Sequence, residues 1–540
     1  MSAANDPIRD GLERGWKVRD GAALSGEARV ECDVAIVGTG AGGGVAAELL
    51  TRAGLSVVLI EEGPLKSSRD FRMLEADAYP QLYWESAARK TKDKAVTILQ
   101  GRAVGGSTTI NWTSSFRTPP ATLAFWRERF GLNAYTPQAL GPHFAACEKR
   151  LSIAPWLVAP NRNNALLAHG AQALGIPVAT ISRNVRICWN LGYCGMGCPT
   201  NAKQSMLVTT IPAALDRGAQ LFFRLRAQRL EFDRNRAVKL LCTALAADGL
   251  TPTPASMAVI ARHYVLAGGA INTPALLLCS EAPDPYRLLG KRTFLHPTVI
   301  SAAVFDERVD GYQGAPQSVY SDHFLERDPI DGPLGFKLEV PPLHPVLFAS
   351  TVPGFGAEHA ETMRAFARTH VQIALIRDGF HPDSAGGTVG LRRDGTPLLD
   401  YPLTDTFWDA ARRALLAMAE IQFAAGARAV RPVHEQAAAW TSWAQAKAEI
   451  ARLPMKPLAL RVVSAHVMGG CGMAADERRG VVNSDGRHFH LDNVSVFDGS
   501  LFPTSLGANP QLSIYGVVHR MAGQLAAVLS GRRPPTFNDT

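Results

Sequence analysis

Two short apolar runs near the N-terminus flank a cluster of glycines. The run CDVAIVG at 32–38 is apolar, AGGGVAAELLTRAG at 41–54 has helical composition and ends at Gly54, and LSVVLIEEG at 55–63 is a second apolar run. Short apolar runs bounded by glycines or acids are typical of buried strands. The pattern therefore predicts a strand, a turn, a helix and a second strand, which is the beginning of an α/β fold.

The glycines at the predicted strand-to-helix junction match a pattern that binds phosphate groups. Gly38, Gly40 and Gly43 fit G-x-G-x-x-G, in which missing side chains let backbone amides and the helix N-terminus approach a pyrophosphate. Glu61, at the end of the second strand, is placed to accept hydrogen bonds from a ribose. Glu62 is the alternative, because sequence defines a strand end only to within about two residues. The strand, glycine turn, helix, second strand and acid together predict a dinucleotide-binding site.

Four further stretches carry a resemblance to a known family. They are GRAVGGSTTINWTSSFRTP (101–119), GGAINTPALLL (268–278), AHVMGGCGM (465–473) and VSVFDGSLFPTSLGANPQLSIYGVVHRMA (494–522). In this order they resemble the glucose-methanol-choline (GMC) family of FAD-dependent oxidoreductases, and most of all its long-chain fatty alcohol oxidase and dehydrogenase branch. The resemblance implies an α/β fold, with a Rossmann-like FAD-binding domain of the GMC and p-hydroxybenzoate hydroxylase type. The resemblance also implies a discontinuous substrate domain that is built on an antiparallel sheet with helices.

The order of these motifs predicts that the two domains alternate along the chain. The expected segments are the first part of the FAD-binding domain at 30–125, a substrate or cap segment at 126–190, the second part of the FAD-binding domain at 191–300, the substrate-binding domain at 301–460, and the last part of the FAD-binding domain at 461–535.

The stretch after residue 101 implies contacts to the cofactor. Gly105, Gly106 and Ser107 form a loop with few side-chain atoms that can lie against a flat isoalloxazine or a diphosphate, and Asn111 offers a polar contact. Family members that attach FAD covalently use a histidine in the loop that is GGSTTINW here. This loop has none, so the resemblance implies FAD that is bound without a covalent link.

The last motif implies further FAD contacts. Asp498 and Gly499 follow the strand-like VSVF, where the family's acid and backbone approach the flavin ribityl chain and the pyrophosphate. The alternative for Asp498 is a helix cap. The same resemblance places Asn509 and Pro510 at the cofactor.

The resemblance also implies the catalytic pair. Oxidation of an alcohol by a flavin needs a group that takes the hydroxyl proton while hydride leaves carbon for N5, and histidine suits this because its pKa lies near neutrality. His466 coincides with the family's active-site histidine, and Asn509 stands where the family has His or Asn. An amide orients the substrate oxygen but is no base. We therefore expect His466 to act as the base, and His296, His344 and His519 to be structural.

Three of the eight cysteines, Cys188, Cys194 and Cys198, lie close together in the chain. The run CGMGCPTNAKQS resembles long-chain fatty alcohol oxidases and dehydrogenases, where it implies no metal. The spacing also resembles the segment that ligates an iron–sulfur cluster in membrane-linked glucose and fructose dehydrogenases. We expect a glycine-rich loop with small buried thiols and no metal, and the iron–sulfur cluster is the alternative.

The middle of the chain carries no flavin motif and is expected to shape the substrate pocket. Glu339, in the strand-like GFKLEVPPLHPV, is either a pocket acid or a surface acid of an edge strand. Apolar periodicity predicts helices near 404–425 and 435–452 that cover a sheet. Residues 70–96 are expected to form a lid over the flavin edge or an interface.

Composition and charge limit the partners. The chain has 540 residues, 46% of them apolar, and a net charge of +8 that is scattered along the sequence, so no nucleic-acid partner is indicated. The first residues lack a signal peptide pattern, which predicts a cytoplasmic protein, with peripheral membrane contact left open. The expected partners are a small-molecule alcohol and oxygen, a quinone or another electron acceptor.

The sequence thus predicts FAD-dependent oxidation of a hydrophobic alcohol, long-chain or bulky, to an aldehyde or ketone. Two alternatives stay open: a sugar or polyol dehydrogenase with an iron–sulfur relay, and a flavin lyase or photodecarboxylase on the same fold. Motifs of hydrolases and nucleoside triphosphatases are absent from the sequence. Sequence does not determine which alcohol reacts, whether the enzyme is an oxidase or a dehydrogenase, or the oligomeric state.

Overall fold

A computed structural model describes residues 6–537, which form two large β-sheets and the helices that cover them. The helices, in chain order, are α1 (Pro7–Glu13), α2 (Ala41–Arg52), α3 (Glu75–Leu82), α4 (Pro120–Phe130), α5 (Pro137–Arg150), α6 (Arg162–Ala173), α7 (Thr210–Asp216), α8 (Asn272–Cys279), α9 (Pro345–Thr351), α10 (Gly356–Arg364), α11 (Asp405–Ala424), α12 (Trp443–Arg452) and α13 (Gln511–Ser530).

The strands are short, except for four in the first sheet that have 9 to 15 residues. In chain order they are β1 (Lys17–Asp20), β2 (Glu27–Val37), β3 (Val57–Ile60), β4 (Arg89–Lys90), β5 (Val96–Ile98), β6 (Ile153–Pro155), β7 (Ala179–Thr180), β8 (Ser182–Asn184), β9 (Gln220–Phe223), β10 (Leu225–Asp233), β11 (Arg236–Leu245), β12 (Pro252–Leu266), β13 (Lys291–Phe294), β14 (Thr298–Val304), β15 (Val319–Ser321), β16 (Phe336–Glu339), β17 (Thr369–Ile376), β18 (Gly387–Leu391), β19 (Pro397–Asp400), β20 (Ala429–Pro432), β21 (Val462–Ser464), β22 (Met468–Gly469) and β23 (Val494–Val496).

The first sheet has the Rossmann-like character that the sequence predicts. Its strand order is β1-β9-β3-β2-β12-β11-β10, with β23 paired to β12. Six strands, β1, β9, β3, β2, β12 and β23, run parallel, and β10 to β12 form an antiparallel meander. The predicted strand, helix and strand are confirmed as β2, α2 and β3, and Val34 of β2 pairs with Val57 of β3. Helix α2 packs between α13 and α7.

The second sheet has its centre in the segment 301–460, but β4, β5, β7 and β21 come from segments that the sequence predicts for the FAD-binding domain or the cap. Its order is β4-β5-β21-β14-β17-β16-β15-β7, with β20 paired to β14. Every neighbouring pair is antiparallel except β5 and β21. Helix α11 packs on β14 and β17 and carries α6 and α12 on its flanks, so the sheet has a helical cover of the kind expected.

The two helices predicted to cover this sheet differ in how well their predicted bounds match the observed ones. Helix α11 fills the expected range 404–425. The second prediction, 435–452, is wrong in its first half because α12 begins at Trp443. The side chain of Ser442 caps it by accepting the N–H of Gln445 over 3.3 Å, and a serine cap fixes a helix start. The preceding residues form a loop in which Trp440 pairs with Val430.

A small third sheet joins the two units near the site described below. Its order is β19-β18-β13-β22, and Phe294 of β13 lies opposite Met468 of β22 in an antiparallel pair. The residues just after β13 and just before β22 are therefore brought side by side.

The chain crosses between the two cores several times. Helices α4 and α5 contribute Trp126 and Phe144 to the core around the first sheet, whereas α6 contributes Leu167 to the core around the second. The predicted cap segment 126–190 is thus divided between the cores of the two large sheets. Within residues 6–537, α13 alone is long and apolar enough to pass as a membrane span, with a mean hydropathy of 1.2, and 67% of that window is buried inside the protein.

We predict that Leu415→Ala lowers the free energy of unfolding by about 2–5 kcal/mol, because Leu415 of α11 is fully buried and its truncation leaves a cavity. Asp409→Ala on the same helix is the control. It removes only a partly exposed ion pair with Arg413 and should cost about 0.5 kcal/mol or less. Chemical denaturation of both variants measures the difference, and equal losses would contradict the packing of α11.

Candidate active site

The junction of β2 and α2 leaves no room for a side chain at Gly38 or Gly43. Gly38 has a φ of +95°, and a Cβ there would lie 2.3 Å from the carbonyl oxygen of Ala267. A Cβ at Gly43 would lie 2.0 Å from the carbonyl oxygen of Gly38, so this glycine lets the helix sit on the strand. Gly40 is the N-cap of α2, where no side chain of the described chain makes a capping bond. The first amides of α2 are therefore available to a phosphate.

The loop at Gly105 and Gly106 packs directly on this turn. Both glycines have positive φ, and a Cβ at Gly106 would lie 2.7 Å from the Cα of Gly40. The backbone N–H of Gly105 donates to Oγ1 of Thr39 over 2.9 Å. The two glycine turns therefore hold each other in place through a close backbone approach and a hydrogen bond to the side chain of Thr39.

One cavity runs along these turns, and eleven of the thirteen residues that the sequence predicts for the site line it. They are Gly38, Gly40, Glu61, Gly106, Ser107, Asn111, His466, Asp498, Gly499, Asn509 and Pro510. Gly43 and Gly105 do not line the cavity and act behind its wall through the packing just described.

The two acids after β3 have different surroundings. Glu61 is buried and accepts hydrogen bonds from the N–H and Oγ1 of Thr39, at 3.1 and 2.6 Å, and from the N–H of Gly63 at 2.9 Å. Burial raises its pKa, and these hydrogen bonds oppose that effect. Glu62 also lines the cavity but forms an ion pair of 2.9 Å with Arg226. A carboxylate oxygen accepts more than one hydrogen bond, so Glu61 can still accept hydrogen bonds from a ribose.

Asp498 combines the two roles considered from the sequence. Its carboxylate accepts the N–H of Ser500 at 2.8 Å and so caps a short 3₁₀ turn, and it also accepts the N–H of Gly269 at 2.8 Å and Oγ1–H of Thr273 at 2.6 Å. At the same time it lines the cavity. Asp498 thereby fixes the loop between β12 and α8 against the cavity wall.

A buried carboxylate stands behind Asn509. The side-chain Nδ2 of Asn509 donates to Oε2 of Glu339 over 3.3 Å, and Nε2 of Gln317 donates to the same oxygen over 2.8 Å. Among the described residues neither Oε1 of Glu339 nor Oδ1 of Asn509 has a hydrogen-bond partner. Glu339 is fully buried in β16, between β15 and β17, so the edge-strand surface alternative is wrong.

The charges around this carboxylate are buried too. Burial raises the pKa of Glu339 to about 7, although the nearby ammonium of Lys337 lowers it. The Nζ of Lys337 lies 3.9 Å from Oε1 of Glu339 and 3.4 Å from Oδ1 of Asp322. Burial and the charge of Lys337 lower the pKa of His466 to about 3. His466 is half-buried in the cavity wall, and with its pKa lowered it is a neutral imidazole near pH 7.

Sequence reasoning missed one neighbour of His466. His296, expected to be structural, lies with its Nδ1 3.3 Å from Nδ1 of His466. The signal in the sequence was the pair His296-Pro297, but its place depends on the pairing of β13 with β22. His344 stacks near Tyr193 and His519 contacts His143, and neither lines the cavity.

The three clustered cysteines lie behind the cavity wall as half-buried free thiols. The hydroxyl of Tyr83, a wall residue, donates to the carbonyl oxygen of Gly195 over 2.7 Å. The buried Nζ of Lys203 ties the segment to the glycine loop, donating to the carbonyl oxygens of Thr109 and Cys194 at 2.7 and 2.6 Å. Across residues 6–537 no three His, Cys, Asp or Glu side chains are grouped to hold a metal ion.

Comparison with known proteins identifies the family. Two family models described as GMC oxidoreductase match residues 79–298 and 382–517. The chain belongs to the GMC oxidoreductase family. An uncharacterized GMC-type oxidoreductase of Mycobacterium tuberculosis is 32% identical over 504 residues, which are 93% of this chain and 77% of that one. Long-chain-alcohol oxidase FAO4A of Arabidopsis thaliana is 28% identical over 523 residues, 94% of this chain and 70% of that one.

Solved structures of GMC enzymes share the fold. Pyridoxine 4-oxidase from Mesorbium loti has a TM-score of 0.67 at 20% identity, with 91% of this chain and 99% of that chain covered. Formate oxidase of Aspergillus oryzae RIB40 has a TM-score of 0.68 at 16% identity, with 94% and 99% covered. These similarities confirm the predicted fold class.

This GMC oxidoreductase is a flavin-dependent enzyme with FAD as cofactor. The cavity fits that group, because the glycine turns clear space for a diphosphate and the open amides of α2 face it. Glu61 would hold the ribose, and the loop of Gly106 and Ser107 would lie along the cofactor.

We predict that Glu61→Gln weakens FAD binding by about 10- to 100-fold, the loss expected for a hydrogen bond to a charged group. Glu62→Gln is the matched control, because Glu62 is already paired with Arg226, and it should bind FAD as the wild type does. Titration of the apoprotein with FAD, followed by flavin fluorescence, measures both. A weaker affinity in the Glu62 variant alone would move the ribose contact to Glu62.

Proposed function

We propose that this GMC oxidoreductase oxidises the hydroxyl group of a hydrophobic alcohol, long-chain or bulky, to an aldehyde or ketone. The observation that carries the proposal is the placement of His466 and Asn509 on the wall of one cavity. Bound FAD supplies the acceptor for the hydride that leaves the alcohol carbon. The protein side chains bind the alcohol oxygen and manage its proton.

The side chains that line the cavity support an apolar substrate. Its wall carries the large side chains of Tyr83, Trp84 and Trp112 together with Ile110 and Val467. Large apolar surfaces bind an alkyl chain or a ring system by excluding water. The Arabidopsis relative carries the name of a long-chain-alcohol oxidase, which supports the same class of substrate and favours oxygen as the electron acceptor.

The polar groups at the site match a hydroxyl. Nδ2 of Asn509 is directed to the carboxylate of Glu339, so the amide oxygen is the atom left for the substrate. That oxygen is buried and has no partner within residues 6–537, and a buried acceptor without a donor is unfavourable until a donor arrives. We propose that the alcohol O–H donates to it while His466 contacts the same alcohol oxygen, which orients the reacting carbon.

His466 is the side chain that takes the hydroxyl proton in the sequence-based proposal, and this role requires that its Nε2 carries a lone pair. Glu339 is fully buried behind Asn509 and does not line the cavity, so it orients Asn509 without touching the alcohol.

The proposed function is tested by anaerobic absorbance of the purified holoenzyme before and after addition of alcohols. The panel runs from hexanol to hexadecanol and includes a sterol and glucose. Bleaching of the flavin band by long alcohols or the sterol, with recovery in air, is the expected result. Bleaching by glucose alone, with broad absorption beyond that of flavin, would instead indicate a sugar dehydrogenase with an iron–sulfur cluster. Bleaching by none of them would refute alcohol oxidation.

We predict that His466→Ala slows flavin reduction by about 10²- to 10⁴-fold, the usual loss for a group at the reacting oxygen, and leaves FAD bound. His359→Ala in α10 is the control, because His359 lies outside the cavity and its Nε2 is hydrogen-bonded to the carbonyl oxygen of Ala349. Stopped-flow reduction under anaerobic conditions measures both rates. Equal rates in the two variants would remove His466 from the mechanism.

A further inference from the structure

The loop with the three clustered cysteines packs against two buried cations that the proposed mechanism does not use. Arg183 and Lys203 are 1% and 2% exposed. Nη2 of Arg183 lies 3.6 Å from Sγ of Cys194, and Nζ of Lys203 donates to the carbonyl oxygen of the same cysteine over 2.6 Å. Within residues 6–537 neither cation forms an ion pair with a carboxylate. A buried charge without an opposite charge is unfavourable, so an anion beside these cations is expected.

The side chain of Lys203 carries a full positive charge. Its Nζ donates to the carbonyl oxygens of Thr109, Asn111 and Cys194 over 2.7, 2.8 and 2.6 Å. A neutral amine has two hydrogens to donate and an ammonium has three, so three short donated bonds require the ammonium. Burial lowers the pKa of Lys203 to about 8, which leaves the side chain protonated near pH 7.

The anion that matches this ammonium is the thiolate of Cys198. The sulfur of Cys198 accepts the backbone N–H of Lys203 over 3.5 Å, and Oγ1 of Thr200 lies 3.5 Å from the same sulfur. A cation and hydrogen-bond donors at a sulfur favour the thiolate. Burial raises the pKa of Cys198, but the hydrogen bonds of Thr200 and Lys203 and the charge of Lys203 outweigh burial, so the pKa lies below its usual value.

Arg183 adds a second positive charge on the other side of the loop. Its Nε donates to Oγ1 of Thr113 over 2.7 Å, and its Nη2 donates to the carbonyl oxygen of Trp112 over 3.2 Å. Nη1 is buried and has no hydrogen-bond partner among the described residues. A guanidinium with a free donor beside Cys194 stabilises negative charge in this loop.

The other half-buried cysteines are arranged differently. The thiols of Cys32 and Cys279 donate to the carbonyl oxygens of Ile260 and Gly395, at 3.9 and 3.5 Å, which requires that both carry their proton. Burial raises the pKa of both, that of Cys32 to about 12. Cys188 accepts one backbone N–H over 3.4 Å, but burial raises its pKa as well.

We propose that Cys198 is a modification site, a reactive thiolate that hydrogen peroxide oxidises to a sulfenic acid ahead of Cys32, Cys188 and Cys279. The thiolate sulfur attacks one oxygen of the peroxide, so that an S–O bond forms while the O–O bond breaks. The hydroxide that leaves takes a proton from solvent. The sulfur is thus oxidised by two electrons, and the peroxide is reduced to water. This site needs neither the alcohol nor the flavin, and it is therefore independent of the proposed function.

The site is tested on the holoenzyme with hydrogen peroxide in the presence of dimedone, which traps sulfenic acids. Mass spectrometry then locates the label on the eight cysteines. We expect Cys198 to react at least about 10-fold faster than Cys279, which is the control because it is also half-buried. A disulfide that contains Cys198 counts as the same result, since it forms from the sulfenic acid.

Two results of this experiment would overturn the proposal. The first is labelling of Cys188 or Cys279 as fast as that of Cys198. The second is broad visible absorption beyond that of flavin together with bound iron, because thiolates that ligate a cluster are not free to react with peroxide.

A pair of substitutions at Thr200 separates the charge of the sulfur from access to it. Thr200→Val removes the hydroxyl beside Cys198, and Thr200→Ser keeps it. Because loss of the hydroxyl raises the pKa of Cys198 toward its usual value, Thr200→Val should slow alkylation of Cys198 by iodoacetamide by about 3- to 10-fold at about pH 7. Thr200→Ser should react as the wild type does, and Cys279 in the same samples should not change.

The pH dependence of this alkylation decides between the two causes. The three proteins should react at equal rates at about pH 10, where the thiolate forms in all of them. Equal rates of Thr200→Val and wild type at about pH 7 would overturn the thiolate. A slower rate that persists at about pH 10 would show altered access and would overturn it as well.

Discussion

The absence of room for side chains around the N-terminus of α2 is the constraint on which the site depends. A Cβ at Gly42 would lie 1.6 Å from the carbonyl oxygen of Phe497, and the turn at Gly106 lies against Gly40 on another side. Three segments far apart in the chain thus meet backbone to backbone. Contacts of this kind cannot be loosened by a change of rotamer, so the strand ends that carry Glu61 and Asp498 are placed with little freedom.

Three buried carboxylates lie at or behind the cavity wall, and they differ in how many of their oxygens accept hydrogen bonds from the protein. Glu61 and Asp498 have both carboxylate oxygens bonded within the protein. Glu339 has one oxygen held by two amides and a second oxygen that lies 3.9 Å from Nζ of Lys337 without a hydrogen bond from any described residue. The two acids near the glycine turns therefore hold the architecture of the site. Oδ1 of Asn509, on the cavity wall, has no hydrogen-bond partner among the described residues, and an unpaired buried polar atom costs about 1–3 kcal/mol.

Features that depend on residues close together in the chain were predictable from the sequence, and features that depend on distant residues were not. The unit of β2, α2 and β3 rests on local periodicity and on glycines within one turn, so its position was predictable. Most of the predicted cavity residues, among them His466, Asp498 and Asn509, followed from the resemblance of four motifs to the GMC family. The burial of Glu339 was not predictable, because it depends on β16 lying between β15 and β17. The contact of His296 with His466 joins residues far apart in sequence through strand pairing, and no local pattern encodes that pairing.

Burial and one ammonium group set the charges around Asn509. Burial raises the pKa of Glu339 and the charge of Lys337 opposes this effect, whereas burial and the same charge both lower the pKa of His466. Lys337 therefore favours a carboxylate at Glu339 and disfavours an imidazolium at His466. The neutral imidazole lines the cavity, whereas the carboxylate contacts Asn509 behind the wall and does not line the cavity itself.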